Sequence, residues 1–348
     1  MLPATFFSRL PLLLLSLGLV SDCKSNCGDA GHRPAPIAAV PRSPTSPEKT
    51  PPTTEAVWRN KDGSPTTLVT LDKPAYHTKL NLAADAIYLL TLDAAFRLVP
   101  GQAPQEIKLD HGDSAATTPS AIIYWSKGFL WLAPKQGGAP GRVASVKDQP
   151  LFIVAVDERF AWVSVDAQGQ YAIFNLRQGE PHAVYRASGA VVAATMVEDR
   201  VVFIERVGEE SWRLGSVARS GGSPSFTVTR KGRYPAMLAA AASEVYYYCY
   251  DDKDLSEVRA VSPDLRTERV VANNVICSPL AAADRVFCAH VEGLFELSPT
   301  GGPPKLVYPN IASAITAIGV DQDRVVWVRD VGHEKLDVKL FFRNAIPQ

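Results

Sequence analysis

Asp199-Arg200-Val201-Val202-Phe203 sets a polar turn against an apolar-aromatic strand, and the same pairing returns along the chain. It recurs as Asp85-Ala86-Ile87-Tyr88, Ser120-Ala121-Ile122-Ile123-Tyr124-Trp125, Glu158-Arg159-Phe160-Ala161-Trp162, Ser243-Glu244-Val245-Tyr246-Tyr247, Asp284-Arg285-Val286-Phe287 and Asp323-Arg324-Val325-Val326-Trp327. The starts are spaced by 35, 38, 41, 44, 41 and 39 residues. Apolar stretches such as Phe152–Val156, Val191–Met196 and Ile315–Val320 lead into most of these turns, so each mark reads as a hairpin. A recurring period of this length signals a repeat architecture.

A second mark follows each hairpin by about 20 residues, a Gly-Pro turn: Gly101–Pro104, Gly137–Pro140, Gly179–Pro181, Gly221–Pro224 and Gly301–Pro304. Gly supplies the positive φ and Pro pre-sets its own φ. The fifth repeat lacks the Gly but keeps the preceding proline, Pro263, in register with Pro100, Pro134 and Pro299. A short strand follows, as in Glu106–Leu109, His182–Tyr185, Glu268–Val271 and Lys305–Tyr308. Each repeat therefore holds four strands.

Four antiparallel strands per 40-odd residues resembles one blade of a β-propeller of YWTD or NHL-like type, and Tyr124-Trp125-Ser126 is similar to the YWTD pattern with Ser in place of Thr. The resemblance implies an all-β fold, a seven-bladed β-propeller over 57–348. The last repeat stops at its third strand, Val338–Phe342, while Thr66–Leu71 at the other end is a fourth strand without a blade. The N-terminal strand is expected to complete the last blade and close the ring, which removes exposed strand edges. The second blade is the weakest, because its first strand must come from Asp113–Thr118.

Residues 1–22 read as a signal peptide: Arg9, the apolar run Leu10–Val20, then small and polar residues. The run is too short to span a bilayer as an ordinary helix. Leu19-Val20-Ser21-Asp22-Cys23 resembles a bacterial lipobox, which implies lipidation of Cys23. Asp22 departs from the Gly, Ala or Ser of that motif, and the alternative is soluble secretion with a cut after Ser21 or Gly18. Lys24 in place of Asp favours the outer membrane. Residues 23–56 read as a tether, with seven prolines in Gly28–Thr54 and no aromatic residue there. In layout the chain resembles envelope lipoprotein propellers that assist outer-membrane assembly.

The 348 residues carry 36 basic and 36 acidic side chains. Zero net charge argues against a nucleic-acid partner. An apolar fraction of 46% excludes a wholly disordered chain, and 27 prolines with 23 glycines argue against a helical bundle. An exported chain meets an oxidising compartment, so Cys277 and Cys288, flanking one hairpin turn, are the favoured disulfide, with Cys249 a rival partner.

Catalytic signatures are missing: no HExxH, no Gly-x-Ser-x-Gly elbow, no P-loop and no dinucleotide fingerprint. Two loop sets should share a face. The strand-two-to-three turns are acid-rich, and the connectors between blades are more basic. Candidate ligand-binding residues there are Tyr246, Tyr248, Asp251, Asp252, Asp254, His333 and Glu334. The three aspartates are also the one candidate Ca²⁺ site, although the EF-hand pattern is absent. No other cofactor is expected. The resulting reading is a non-enzymatic binding or scaffolding module, probing a protein, peptide or glycan of the envelope, monomeric and touching the membrane through lipid alone. The alternatives are a propeller-type hydrolase or lyase built on His77, His111 and His333, and a Ca²⁺-stabilised structural domain.

Overall fold

The computed structural model describes residues 65–342, apart from 74–77, 84, 92, 110–113, 167, 233–234, 236, 251–255, 279, 291, 310–313 and 333. After β1 (Thr66–Leu71) come seven successive groups of strands. Blade 1 is β2 (Lys79–Leu82), β3 (Ile87–Leu90), β4 (Ala94–Leu98) and β5 (Gln105–Lys108). Blade 2 is β6 (Ala115–Thr117), β7 (Ala121–Ser126), β8 (Phe129–Pro134) and β9 (Gly141–Ser145). Blade 3 is β10 (Phe152–Val156), β11 (Arg159–Val165), β12 (Tyr171–Arg177) and β13 (Glu180–Arg186). Blade 4 is β14 (Ala190–Val197), β15 (Arg200–Arg206), β16 (Ser211–Ala218) and β17 (Ser225–Phe226), with β18 (Arg230–Lys231) also on β16. Blade 5 is β19 (Leu238–Ala240), β20 (Val245–Tyr250), β21 (Ser256–Val261) and β22 (Glu268–Asn273). Blade 6 is β23 (Leu280–Ala282), β24 (Val286–His290), β25 (Gly293–Leu297) and β26 (Lys305–Pro309). Blade 7 is β27 (Ile315–Val320), β28 (Arg324–Gly332) and β29 (Lys335–Phe342).

Every sheet is an antiparallel meander, and β1 pairs with β29 to give the order β1-β29-β28-β27. The protein is a seven-bladed β-propeller closed by its N-terminal strand. Thr66 faces Leu340 and Leu71 faces Leu336, and Thr70 Oγ1 donates to Asp337 Oδ1 at 2.6 Å. The first strand of blade 2 is only Ala115–Thr117, in keeping with its poor strand formers.

The core is divided into seven apolar layers, one between each pair of neighbouring blades. Adjacent residues of one strand enter different layers. Ile122 packs toward blade 1 and Ile123 toward blade 3; Val201 and Phe203 pack toward blade 3 and Val202 and Ile204 toward blade 5. Both faces of the middle strands are therefore buried, which is why those strands read as continuous apolar runs rather than alternating ones. Full burial of each such Val, Ile or Phe contributes about 1.5–3 kcal/mol.

The turn marks have the expected geometry. Gly101, Gly137, Gly179, Gly221 and Gly301 have φ of +71°, +90°, +84°, +93° and +93°. In the fifth blade Leu265 takes the left-handed conformation instead, at φ +63°. That turn is held by side chains: Ser262 Oγ accepts from Arg266 N at 3.1 Å and Thr267 N at 3.0 Å, and donates to Asp264 Oδ1 at 2.7 Å. Cys277 and Cys288 are joined by a disulfide with Cα atoms 5.1 Å apart, tying the blade 5–6 connector to β24. Cys249 is a buried free thiol.

Candidate functional site

The two ends of the ring differ in what their polar groups do. On one face, the turns between second and third strands are tied to the connectors between blades. Val146 N donates to Gly128 O at 2.8 Å, Ala187 N to Tyr171 O at 2.8 Å, Gly232 N to Glu210 O at 2.9 Å and Asn274 N to Ser256 O at 2.7 Å. The acidic turns and basic connectors also pair, Arg186 with Asp166 at 2.8 Å and Lys73 with Asp93 at 2.7 Å. Backbone donation from Gln170 and Gln168, then Arg186, holds the Asp166 carboxyl below its ordinary range.

The opposite face carries the Asp-Arg turns, and there the polar side chains stitch blade to blade. Arg324 Nη2 donates to Ala83 O at 2.5 Å, Arg200 Nε to Pro263 O at 3.2 Å and Arg269 Nη1 to Pro299 O at 2.5 Å. Ser120 binds Glu158 through its backbone N–H at 3.0 Å and its hydroxyl at 2.8 Å. Arg200 and Arg324, from two of the Asp-Arg turns, thus bridge neighbouring blades, whereas Arg285 pairs with Glu296 inside its own blade at 2.9 Å.

Apolar exposure follows the same division. Of the large hydrophobic side chains exposed among the described residues, Leu151, Val207, Val228 and Ile276 lie in connectors or strand-two-to-three turns, and Val331 lies at the end of β28 that leads into such a turn. The remaining two, Val270 and Leu306, lie on the outer strands β22 and β26, and none lies in the Asp-Arg turns or Gly-Pro turns. Ile276 is 51% exposed and lines a cleft of about 340 Å³ with Asn274, His290, Glu292 and Phe295.

Beneath the blade 3–4 connector lies a buried carboxylate. Glu205 is 0% exposed, and its Oε1 accepts from Ser188 N (2.6 Å), Ser188 Oγ (2.9 Å) and Gly189 N (2.9 Å). Arg213 Nε donates to its Oε2 at 2.8 Å. Burial pushes its pKa up, but the bonds from Arg213, Ser188 and Gly189 outweigh it and leave the pKa lowered. This group clamps the connector to the blade.

The candidate residues from the sequence separate accordingly. Tyr246 is 3% exposed, packs between blades 5 and 6, and donates to Glu244 Oε2 at 2.7 Å. Tyr248 packs against the same layer with its ring 5.4 Å from that of Tyr250, while Tyr247 enters the blade 4–5 layer. Glu334 is exposed in the β28–β29 turn at φ +58°. Cys23, Asp251, Asp252, Asp254, His333, His77 and His111 lie outside the described residues. Among the described residues, no group of three or more His, Cys, Asp or Glu side chains is placed to hold a metal ion. Sequence reasoning passed over Glu205, whose one signal is a charge ending the apolar run Val201–Ile204.

No protein-family profile matches the chain, and no curated protein matches it. Solved structures do match in fold. An oligogalacturonate lyase in complex with manganese superposes with a TM-score of 0.56 at 12% identity, over 75% of this chain and 84% of that one. The WD40 β-propeller domain of Doa1 superposes with a TM-score of 0.56 at 10% identity, over 81% and 99%. A chain of the mitotic checkpoint complex gives 0.53 at 9% identity, over 85% and 98%. At these identities the likeness concerns the propeller fold, which carries both enzymes and non-enzymes.

Proposed function

We propose that this protein is an exported, lipid-anchored propeller of the cell envelope that acts as a non-enzymatic binding or scaffolding module. The observation that carries the binding role is the one-sided exposure of Leu151, Val207, Val228, Ile276 and Val331 around the connector face. Exposed apolar side chains spaced around one rim, with Ile276 beside a cleft, fit a surface that meets a partner. On the Asp-Arg face, Arg200, Arg269 and Arg324 are engaged by carbonyls of neighbouring blades. The partner in this reading is an envelope protein, peptide or glycan. The address rests on the leader, on Cys23 and on the proline-rich stretch that follows, which would stand the ring away from the membrane.

The test is site-specific photocrosslinking in cells. A crosslinker at Ile276 or Val331 should capture one partner, and one at Gln102 on the Asp-Arg face should not. Cys23→Ala should release the chain from the membrane fraction. Equal capture from both faces, or none from either, removes the connector face as the binding surface.

A further inference from the structure

The innermost strands of all seven blades enclose a central channel of about 340 Å³. Its described lining is apolar or neutral, with threonine hydroxyls from Thr117, Thr195 and Thr316. Among the described residues one charged side chain lines it, Lys79, the first residue of β2. An ammonium has three protons to donate. Lys79 Nζ donates one to Ala115 O at 3.2 Å and forms no ion pair among the described residues. The side chain is exposed, and desolvation by the protein around it lowers its pKa.

We propose that the channel is a binding site for a carboxylate, with Lys79 as its counter-charge and the threonine hydroxyls as orienting groups. A cation facing a neutral lumen, with no ion pair among the described residues, draws an anion, and the charge-assisted hydrogen bond between them is strong. Among the described lining residues the charge is single and there is no guanidinium fork, which suits a carboxylate better than a phosphate dianion. The volume sits at the low end of small-molecule sites. It admits a small organic acid or the terminus of a peptide, which share this chemistry. The site opens at the connector end of the ring, where Thr78, Lys79, Ala115 and Met237 lie, but it does not depend on a partner at the outer rim.

The chain supplies its own reporters. It has three methionines, and two of them, Met196 and Met237, line the channel. The full chain with ¹³C-methyl methionine is titrated at constant ionic strength with acetate, succinate, the tripeptide Ala-Ala-Ala, its C-terminal amide, and chloride as control. The expected result is a saturable shift of the Met196 and Met237 methyl resonances with carboxylates and none with the amide or chloride. Lys79→Met should weaken binding about tenfold or more, as for loss of a charged hydrogen bond, and Lys79→Arg should retain it. A response to acetate or succinate identifies a free acid; a response to the tripeptide alone identifies a chain terminus. The proposal is overturned if neither methyl moves with any carboxylate, or if Lys79→Met responds like the wild type. Should that variant not fold, Lys79→Gln replaces it, and the wild-type titration by itself still overturns the proposal when no shift appears.

Discussion

Gly215 lies flat against the ring of Phe203, its partner across the β15–β16 ladder. A Cβ built on Gly215 would come within 2.2 Å of Phe203 Cζ. Phe203 is fully buried in the blade 3–4 layer, tilted against Tyr185 with centroids 5.0 Å apart and edge-on to Phe226 at 6.3 Å. The missing side chain makes room for the ring. Gly215→Ala should therefore destabilise the protein by about 1–3 kcal/mol through overpacking. Urea unfolding of the single variants and of Gly215→Ala/Phe203→Leu checks this. The smaller side chain should make the double variant less than additive, and full additivity would refute the contact as the cause.

The β1–β29 pairing predicts what happens when the ring is opened. Removing residues 1–72 leaves the edge of β29 unpaired along Leu336–Leu340. Uncovered edges recruit other strands. The truncated chain should elute from size exclusion as oligomers or aggregate, and adding a synthetic peptide of Thr66–Leu71 should restore monomer. A truncated chain that stays monomeric with an unchanged melting temperature counts against closure by β1.

The Cys277–Cys288 link closes a short loop, with a sequence separation of 11. Cys277→Ser should lower stability by about 2–4 kcal/mol under oxidising conditions and by little in reductant. Cys249 is buried, and its thiol is pushed up to about 11 by desolvation. It should resist alkylation by iodoacetamide in the native state and react only on unfolding. Mass spectrometry of the labelled protein reads both results.

Glu205 makes stability depend on acid. Its folded pKa lies below its ordinary 4.5. Such a group contributes fully at pH above the unfolded value, and that contribution is lost as pH falls through the folded one. Glu205→Gln should cost about 1–3 kcal/mol at neutral pH, with the gap from wild type narrowing below pH 4.5. Denaturant midpoints across that range test it, and a gap independent of pH would show that the charge is not what matters.

Lys135 acts in the opposite range. It is 3% exposed, lies 4.3 Å from the centroid of the Tyr88 ring, and donates to Asn81 Oδ1 at 3.4 Å. Desolvation lowers its pKa to about 8, against a partial pull upward from Asp85 and Glu158. The unfolded chain therefore holds more protons between about 8 and 10.5. Stability from this group rises with pH across that window. Lys135→Met should flatten the alkaline rise expected in wild-type melting temperatures, and identical pH profiles would refute it.

The ring was legible in the sequence because its turns have fixed chemistry. Asp199-Arg200 and Gly221–Pro224 mark loops whatever surrounds them, and Thr66–Leu71 was conspicuous as a strand without a blade. The inward side chains were not legible. Lys79 heads an ordinary-looking strand, and only the ring places it in a shared lumen beside Ala115. The role of Arg200, Arg269 and Arg324 was hidden for the same reason: their acceptors are carbonyls of Pro263, Pro299 and Ala83, which carry no sequence signal. Tyr246-Tyr247-Tyr248 offered the alternation of faces but not which layer each face belongs to.

The closing hydrogen bond between Thr70 and Asp337 spans 267 residues, so the first strand made waits for the last. Loop-closure entropy rises only logarithmically with such a span, so the finished ring loses little equilibrium stability to it. The burden falls on timing. Contacts of this separation form slowly. Until synthesis is complete, β1 has no mate and the nascent chain is an open arc with two sticky rims. A chaperone that covers either rim would speed maturation without touching the native state, and a premature stop codon anywhere before β29 would leave a product that cannot finish.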